Sequence, residues 1–220
     1  MRYVMSDLHG MYEKYIDMLK QINFKESDEL YILGDVMDRG DSSLKIIDHI
    51  VANKNIHLIR GNHEQMYLDF DEQNDNLWFY NGGNKTFAEI MNRDFQYKEQ
   101  LYKYIVKTPH YMVLDDFILV HAGLIIPREN SSIEEILEFN DKDTYLWGRS
   151  HIDNEKKHSR YKVVCGHTPT IGFNKVKYKD KLGKIINNGN YYYIDCGCCF
   201  EKYDGKLACL RLDDMEEFYI

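Results

Sequence analysis

The sequence predicts an α/β fold, two mixed sheets packed together and flanked by helices, and three observations carry that reading. In the N-terminal part, short apolar runs alternate with stretches of helical periodicity, the pattern of β-α-β units that feed a parallel sheet. The segment 64–110 reads as mostly helical. In the C-terminal third, short apolar runs are separated by Asn-Gly and Asp-Gly turn sequences, which predicts antiparallel strands there.

Taken in order, Val4 and Met5 close a first strand before Asp7-Leu8-His9-Gly10. Tyr12, Tyr15, Ile16, Leu19 and Ile22 then recur on one helical face. Leu30-Tyr31-Ile32-Leu33 is a buried strand stopped by Gly34. Leu44, Ile47, Ile50 and Val51 give a second helix face, with Asp41 or Ser42 as its N-cap. Ile56-His57-Leu58-Ile59 is a third strand, ending at Arg60-Gly61. Asn81-Gly82-Gly83 interrupts the helical middle, and the loop 78–85 is either a wall at the mouth of a site or a connector between helices. Tyr111-Met112-Val113-Leu114 and Phe117-Ile118-Leu119-Val120, joined by Asp115-Asp116, predict a hairpin. A short helix over 131–140, capped by Ser131 or Ser132, precedes strands at 161–164, 184–186, 191–194, 207–212 and 217–220. Asn187-Asn188-Gly189-Asn190 and Asp204-Gly205 are expected as hairpin turns.

Composition bounds the function. An apolar share of 44% over 220 residues supports one sizeable core, so 1–220 is expected to form one domain. No run approaches the roughly 18–20 apolar residues of a membrane span, and Asp7 breaks any leader-like apolar stretch. A net charge of −8 argues against a broad nucleic-acid surface, duplex DNA included. Cys196, Cys198 and Cys199 are too close for a disulfide framework, and C-x-C-C matches no common zinc pattern. The cysteines are read as buried structural thiols in a reducing, cytoplasmic setting. Ile171 stands where a C-x5-R phosphatase motif starting at Cys165 would need arginine, so cysteine-based phosphate chemistry is not expected.

The chemistry-bearing residues follow predicted strands, where the ligand crevice of an α/β sheet lies. The first strand delivers Asp7 and His9; the second delivers Asp35, Asp38 and Arg39; the third delivers Asn62, His63 and Glu64. Two later strands lead into His121-Ala122-Gly123 and Gly166-His167-Thr168. Asp7, His9, Asp35, Asn62, His121 and His167 offer oxygen and imidazole donors without thiolate, a set for Mn, Fe, Zn or Ni rather than structural zinc. Six donors exceed one open catalytic ion and suit two ions bridged by a carboxylate, the device that stabilises attacking and leaving oxygens at phosphorus. Gly10, Gly34, Gly40, Gly61, Gly123 and Gly166 flank these donors and permit the turns around them. Glu64 reads as an acid favourable to a helix N-terminus.

Asp7-Leu8-His9-Gly10, Gly34-Asp35-Val36-Met37-Asp38-Arg39-Gly40 and Gly61-Asn62-His63-Glu64 resemble the signature blocks of the metallophosphoesterases, more narrowly the phosphoprotein phosphatase family of serine/threonine phosphatases. His121-Ala122-Gly123 and Gly166-His167-Thr168-Pro169 resemble its two later histidine blocks, and Ile194-Asp195-Cys196-Gly197 its closing strands. The stretch from Trp78 to Asn81-Gly82-Gly83 is similar to the small bacterial and phage branch. Ser6 and Cys196 stand where relatives often carry Gly and Thr.

The resemblance implies a calcineurin-like sandwich. It implies one metal on Asp7, His9 and bridging Asp35, and another on Asp35, Asn62, His121 and His167, Mn first among the candidates. It implies His63 as general acid, oriented by Asp38, and Arg39 as a phosphate clamp. Arg149, after Trp147-Gly148, is the expected second phosphate-binding arginine, with Arg128 and Arg160 as competitors. The implied activity is phosphoserine or phosphothreonine hydrolysis in proteins by metal-activated hydroxide. The alternative is hydrolysis of a dinucleoside polyphosphate such as diadenosine tetraphosphate.

Overall fold

Three parallel strand–helix repeats organise the N-terminal half. The computed structural model describes residues 1–71, 77–152, 160–173 and 182–220. Strand β1 (Arg2–Met5) leads to helix α1 (Tyr12–Gln21), β2 (Glu29–Ile32) to α2 (Ser43–Ala52), and β3 (Ile56–Leu58) to α3 (Asn62–Asp69). The helical middle continues as α4 (Leu77–Tyr80), α5 (Asn84–Met91) and α6 (Phe95–Lys107), with the expected break between α4 and α5. Strands β4 (Tyr111–Leu114) and β5 (Phe117–Val120) form the predicted hairpin, Leu114 opposite Phe117. Helices α7 (Ile133–Phe139) and α8 (Lys142–Trp147) precede β6 (Lys162–Cys165), β7 (Ile186–Asn188), β8 (Tyr191–Tyr193), β9 (Ala208–Arg211) and β10 (Glu217–Tyr219).

The strands form two mixed sheets, β10-β9-β1-β2-β3 and β4-β5-β6-β8-β7. Period-two alternation sorts their side chains between two sides. Val4, Tyr31, Leu33, Phe117, Leu119, Val164, Ala208 and Leu210 meet in one layer between the sheets. Their neighbours Tyr3, Met5, Leu30 and Ile32 face α1, α2 and α6 on one outer side. Ile118, Val120, Val163 and Cys165 pack with α7 and α8 on the other.

Several expectations are corrected. Both sheets are mixed, as expected, but the C-terminal strands are not all antiparallel, because β6 runs parallel to both β5 and β8. The long connection holding α7 and α8 supplies the crossover that a parallel return requires. Asp204-Gly205 is no hairpin turn: β8 and β9 belong to different sheets, and Asp204 ends a 3-10 turn with φ 60°. The strand expected at 184–186 lies at Ile186–Asn188, so only Gly189 and Asn190 turn. Helix α8 was not signalled by the pattern; its N-cap is Asp141, which accepts from Thr144 N–H. Ser132 caps α7 as expected, in a capping box with Glu135. Helix α2 follows Ser42, but its first N–H groups, Ser43 and Leu44, are bound at 2.9 and 3.1 Å by the Glu89 carboxylate of α5.

One buried acid joins the first sheet to α3. Glu64, fully buried, accepts the backbone N–H groups of Asp35 (2.8 Å), Val36 (2.9 Å), Met37 (3.3 Å) and Gly61 (2.9 Å). It therefore fixes the loops that leave β2 and β3, a larger role than a helix-dipole residue. Glu64→Ala is expected to lower unfolding free energy by about 3–5 kcal/mol, because it orphans buried donors. Urea denaturation measures this, and a loss below about 1 kcal/mol would contradict the assignment.

Candidate active site

Parallel strands deliver the ligand-type residues to one edge because they all end on the same side. Asp7 and His9 follow β1, Asp35 to Arg39 follow β2, Asn62 and His63 open α3 after β3, His121 follows β5 and His167 follows β6. All except Arg39 are buried, with at most 8% of their surface exposed. Asp7, His9, Asp35, Asp38, Arg39 and His167 take left-handed backbone, φ between 44° and 73°. Each such non-glycine residue costs on the order of 1 kcal/mol or more.

Hydrogen bonds hold these conformations. Asp7 N–H donates to Gly34 C=O (3.2 Å), and His9 N–H to Asp35 C=O (2.9 Å). Asp35 N–H reaches Glu64, and His167 N–H reaches Asp7 Oδ2 at 2.9 Å. Ser6 Oγ also donates to Asp7 Oδ2, so the Ser6 departure adds a support. Of the flanking glycines expected to make turns, Gly40, Gly61, Gly123 and Gly166 are not at positive φ. Gly166 is required by close approach, since a Cβ there would stand 2.2 Å from Asp7 Oδ2.

The donor atoms form two clusters sharing Asp35: His9, Asp35 and His63 in one, Asp35, His121 and His167 in the other. In the first, His9 Nε2 lies 3.8 Å from Asp35 Oδ2 and 4.0 Å from Asp7 Oδ1. In the second, Asn62 Oδ1 is 2.8 Å from both His121 Nε2 and His167 Nδ1, and those nitrogens are 3.2 Å apart. His121 Nε2 is also 3.5 Å from Asp35 Oδ1.

The tautomers follow from partners that can only accept. Leu33 C=O lies 2.6 Å from His121 Nδ1, and Met37 C=O lies 2.9 Å from His9 Nδ1. Each Nδ1 therefore carries the proton and each Nε2 turns a lone pair inward. Asn62 Oδ1 and His121 Nε2 are then both acceptors, and one His167 N–H cannot satisfy both. His167 Nε2 is buried with no hydrogen-bond partner among the described residues. With the His167 proton on Nε2, a cation at this point answers the lone pairs of Asn62 Oδ1, His121 Nε2 and His167 Nδ1, so the donors fit a bound divalent metal.

Electrostatics agree. Burial, then Asp7 and Glu64, push the Asp35 carboxyl well above the carboxylate range. Burial and then Asp7 do the same to Asp195, an acid the sequence reading placed only in a closing strand. Its signal was an acid directly after an apolar run. Burial, then His63 and Arg39, push His9 down; burial, then His121 and Arg149, push His167 down. Divalent ions favour ionised carboxylates and neutral imidazoles, the combination that this crowding opposes for the acids and supports for the histidines.

His63 stands beside the clusters. Its Nδ1 is 2.6 Å from Asp38 Oδ2, and its Nε2 is 3.0 Å from Arg39 Nη2. Arg39 Nη1 also reaches His9 Nε2 at 2.8 Å. The Arg39 guanidinium lies over the Phe200 ring at 5.5 Å and donates to Cys199 Sγ at 3.6 Å. Cys196 and Cys198 are buried as expected, whereas Cys199 is half-buried and touches this arginine. Sequence reasoning missed both Arg39 neighbours, because the contact spans 160 positions.

Arg149 is exposed, yet its charge is felt at His167, and the Trp147 ring lies 6.0 Å from the His167 ring. Its competitors pair elsewhere: Arg128 with Glu135, Arg160 with Asp116 at 3.9 Å. Of the other histidines, His49 meets Tyr15, His57 meets Glu29, His110 faces Arg60 and His151 stacks on Tyr193; His158 lies outside the described residues.

Known proteins resemble this chain in sequence and in fold. A family profile described as calcineurin-like phosphoesterase matches residues 3–197. The bis(5'-nucleosyl)-tetraphosphatase PrpE (asymmetrical) of Anoxybacillus flavithermus is 28% identical, over 97% of this chain and 91% of its own length. Serine/threonine-protein phosphatase 2 of Salmonella typhimurium is 27% identical, over 89% of this chain and 86% of its own. A crystal structure of a candidate diadenosine tetraphosphatase superposes with a TM-score of 0.68 at 15% identity, covering 100% of this chain and 92% of that one.

Metal addition tests the fit. At a Mn²⁺ concentration near 100 times its dissociation constant, each occupied site should stabilise the fold by about 2.7 kcal/mol, read as a rise in melting temperature. Asp35→Asn, which removes the carboxylate shared by both clusters, should abolish most of that rise. An unchanged wild-type melting temperature with Mn²⁺ would contradict the ligand assignment.

Proposed function

The chain belongs to the calcineurin-like phosphoesterases, metal-dependent hydrolases of phosphate esters, and on that premise we propose that it dephosphorylates phosphoserine or phosphothreonine in proteins. We propose residues 1–220 as one catalytic domain. The fold family implies a dinuclear divalent site. Asp7, His9 and Asp35 would hold one ion; Asp35, Asn62, His121 and His167 would hold the other. When bound, the ions activate water as nucleophile and neutralise charge at phosphorus. The all-oxygen and imidazole set favours Mn, with Fe, Zn or Ni as substitutes. No helix among the described residues is long and apolar enough to cross a membrane. The five free cysteines support a reducing, cytoplasmic setting.

His63 is assigned to proton transfer rather than to a metal, although its Nε2 lies 3.8 Å from Asp35 Oδ2. Its Nδ1 is tied to Asp38, and its Nε2 faces the guanidinium that would grip phosphate. Arg39 now donates to His9 Nε2, a nitrogen that would hold an ion; released from it, the guanidinium would turn to the substrate's phosphate oxygens. Arg149 approaches the same phosphate from the His167 side. With Arg39 on the phosphate, His63 Nε2 would be free to take up a proton from solvent, against the downward push of burial and then Arg39, and would pass it to the departing oxygen, Asp38 balancing the imidazolium charge until then.

The buried His63–Asp38 pair is the observation that carries the phosphoester reading. A serine or threonine alkoxide is a strong base and needs a proton as it leaves, whereas a departing nucleotide phosphate is already a stable anion. The second reading, dinucleoside tetraphosphate hydrolysis, is favoured by the nearly full-length likeness to PrpE.

Parallel assays with Mn²⁺ on a phosphoserine peptide and on diadenosine tetraphosphate separate the two. The expected result is a higher kcat/KM for the peptide and a drop of about 10²–10⁴-fold in His63→Asn. Faster turnover of the dinucleotide, with His63→Asn barely affected, would support the second reading instead.

A further inference from the structure

Trp78 is the largest fully buried side chain, although it sits on the four-residue helix α4. The rings of Phe70, Tyr67, Phe79 and Phe87 surround it, with centroids 5.1, 5.6, 5.8 and 6.3 Å away. Gly83 lies flat against the indole; a Cβ there would come within 2.5 Å of Cδ1 and Nε1. A buried indole N–H needs an acceptor, and a neutral amide or carbonyl would serve for packing alone. Here the acceptor is Asp38 Oδ2, 2.9 Å from Trp78 Nε1, the same oxygen that receives His63 Nδ1–H at 2.6 Å.

The rest of this segment braces the same loop. Gly82 C=O accepts Arg39 N–H at 3.2 Å, and Thr86 Oγ1 accepts Asp38 N–H at 2.9 Å. Asp38 and Arg39 both have positive φ, 73° and 65°, so they need such support. The loop expected as a wall or a connector does connect α4 and α5, and it also supports the acid and the arginine from behind.

We propose that Trp78 is a positioning residue for leaving-group protonation: its indole N–H fixes the Asp38 carboxylate in the one orientation that aims His63 at the departing oxygen. Trp78 touches neither substrate nor metal and acts through Asp38 and His63. The proposal rests on the reading of His63 as the general acid. It predicts an effect that grows with the basicity of the leaving group, because only that group's proton depends on His63. Loss of packing alone would lower activity on all substrates alike.

The test is a leaving-group series with Mn²⁺, from 4-nitrophenyl phosphate through phenyl phosphate to a phosphoserine peptide, on wild type, Trp78→Phe and His63→Asn. Trp78→Phe keeps an aromatic ring and removes the N–H. It is expected to lose about tenfold in kcat on the peptide, little on the nitrophenyl ester, with KM unchanged. A loss equal across the series, or none, would overturn the proposal. His63→Asn separates the two levels: if it fails to steepen the leaving-group dependence, the general-acid reading itself fails.

A second measurement needs no change at position 78. The chain has two tryptophans, so its ¹⁵N-indole spectrum carries two Nε1–H signals. The Trp78 signal should exchange slowly with solvent and move in Asp38→Asn, while that of Trp147 stays. A Trp78 signal indifferent to Asp38→Asn would also overturn the proposal.

Discussion

Left-handed backbone at the ends of parallel strands is the constraint on which the rest of the site depends. Asp7, His9, Asp35, Asp38, Arg39 and His167 all adopt it, and none is glycine. Such a conformation turns a side chain sharply back across the strand end, which lets loops from two sheets converge on one point. It persists only where the surroundings over-determine it. Glu64 holds the loop after β2 through backbone N–H groups, Thr86 and Gly82 hold residues 38 and 39, and Asp7 itself holds His167 across the sandwich. The two sheets are therefore joined at the site by hydrogen bonds as well as by the apolar layer between them.

This scaffold concentrates charge that no isolated protein interior favours. Asp7, Asp35, Glu64 and Asp195 are all buried, and Asp35, Glu64 and Asp195 are pushed toward protonation, chiefly by burial. Glu64 is answered by backbone donors. Asp35 is answered only in part, by His63 N–H at 3.0 Å, and the inward lone pairs of His9, His121 and Asn62 add to the negative potential. A net charge of −8 is thus no argument against an anionic substrate. Cations at Asp35, with Arg39 and Arg149 in the proposed clamp, would make a small positive pocket in an acidic chain.

Much of this was legible because it is local. Asp7-x-His9, Asp35 and Asn62-His63 each follow an apolar run, and β5 and β6 end just before His121 and His167. Strand ends in α/β sheets converge, so position along the chain translated into position in space. What was not legible depends on partners far away in sequence. Glu64 looked like a helix-terminal acid, since its acceptors' donors lie 27–29 residues back. Trp78 reads in sequence as part of a site wall or a connector, since its hydrogen bond spans 40 positions. The parallel order of β5, β6 and β8 was masked by turn sequences that elsewhere close hairpins. Asn187 and Asn188 belong to a strand, and only Gly189 and Asn190 turn.

On this reading the strained, acidic cluster would hold two cations, with Asp35 shared between them. Anomalous diffraction at the manganese edge, on crystals grown with Mn²⁺, tests it most directly. Two peaks are expected about 3.5–4 Å apart, with the Asp35 carboxylate between them. One should lie toward Asp7 and His9, the other toward Asn62, His121 and His167. A single peak, or a peak ligated by His63 in place of Asp7, would contradict it.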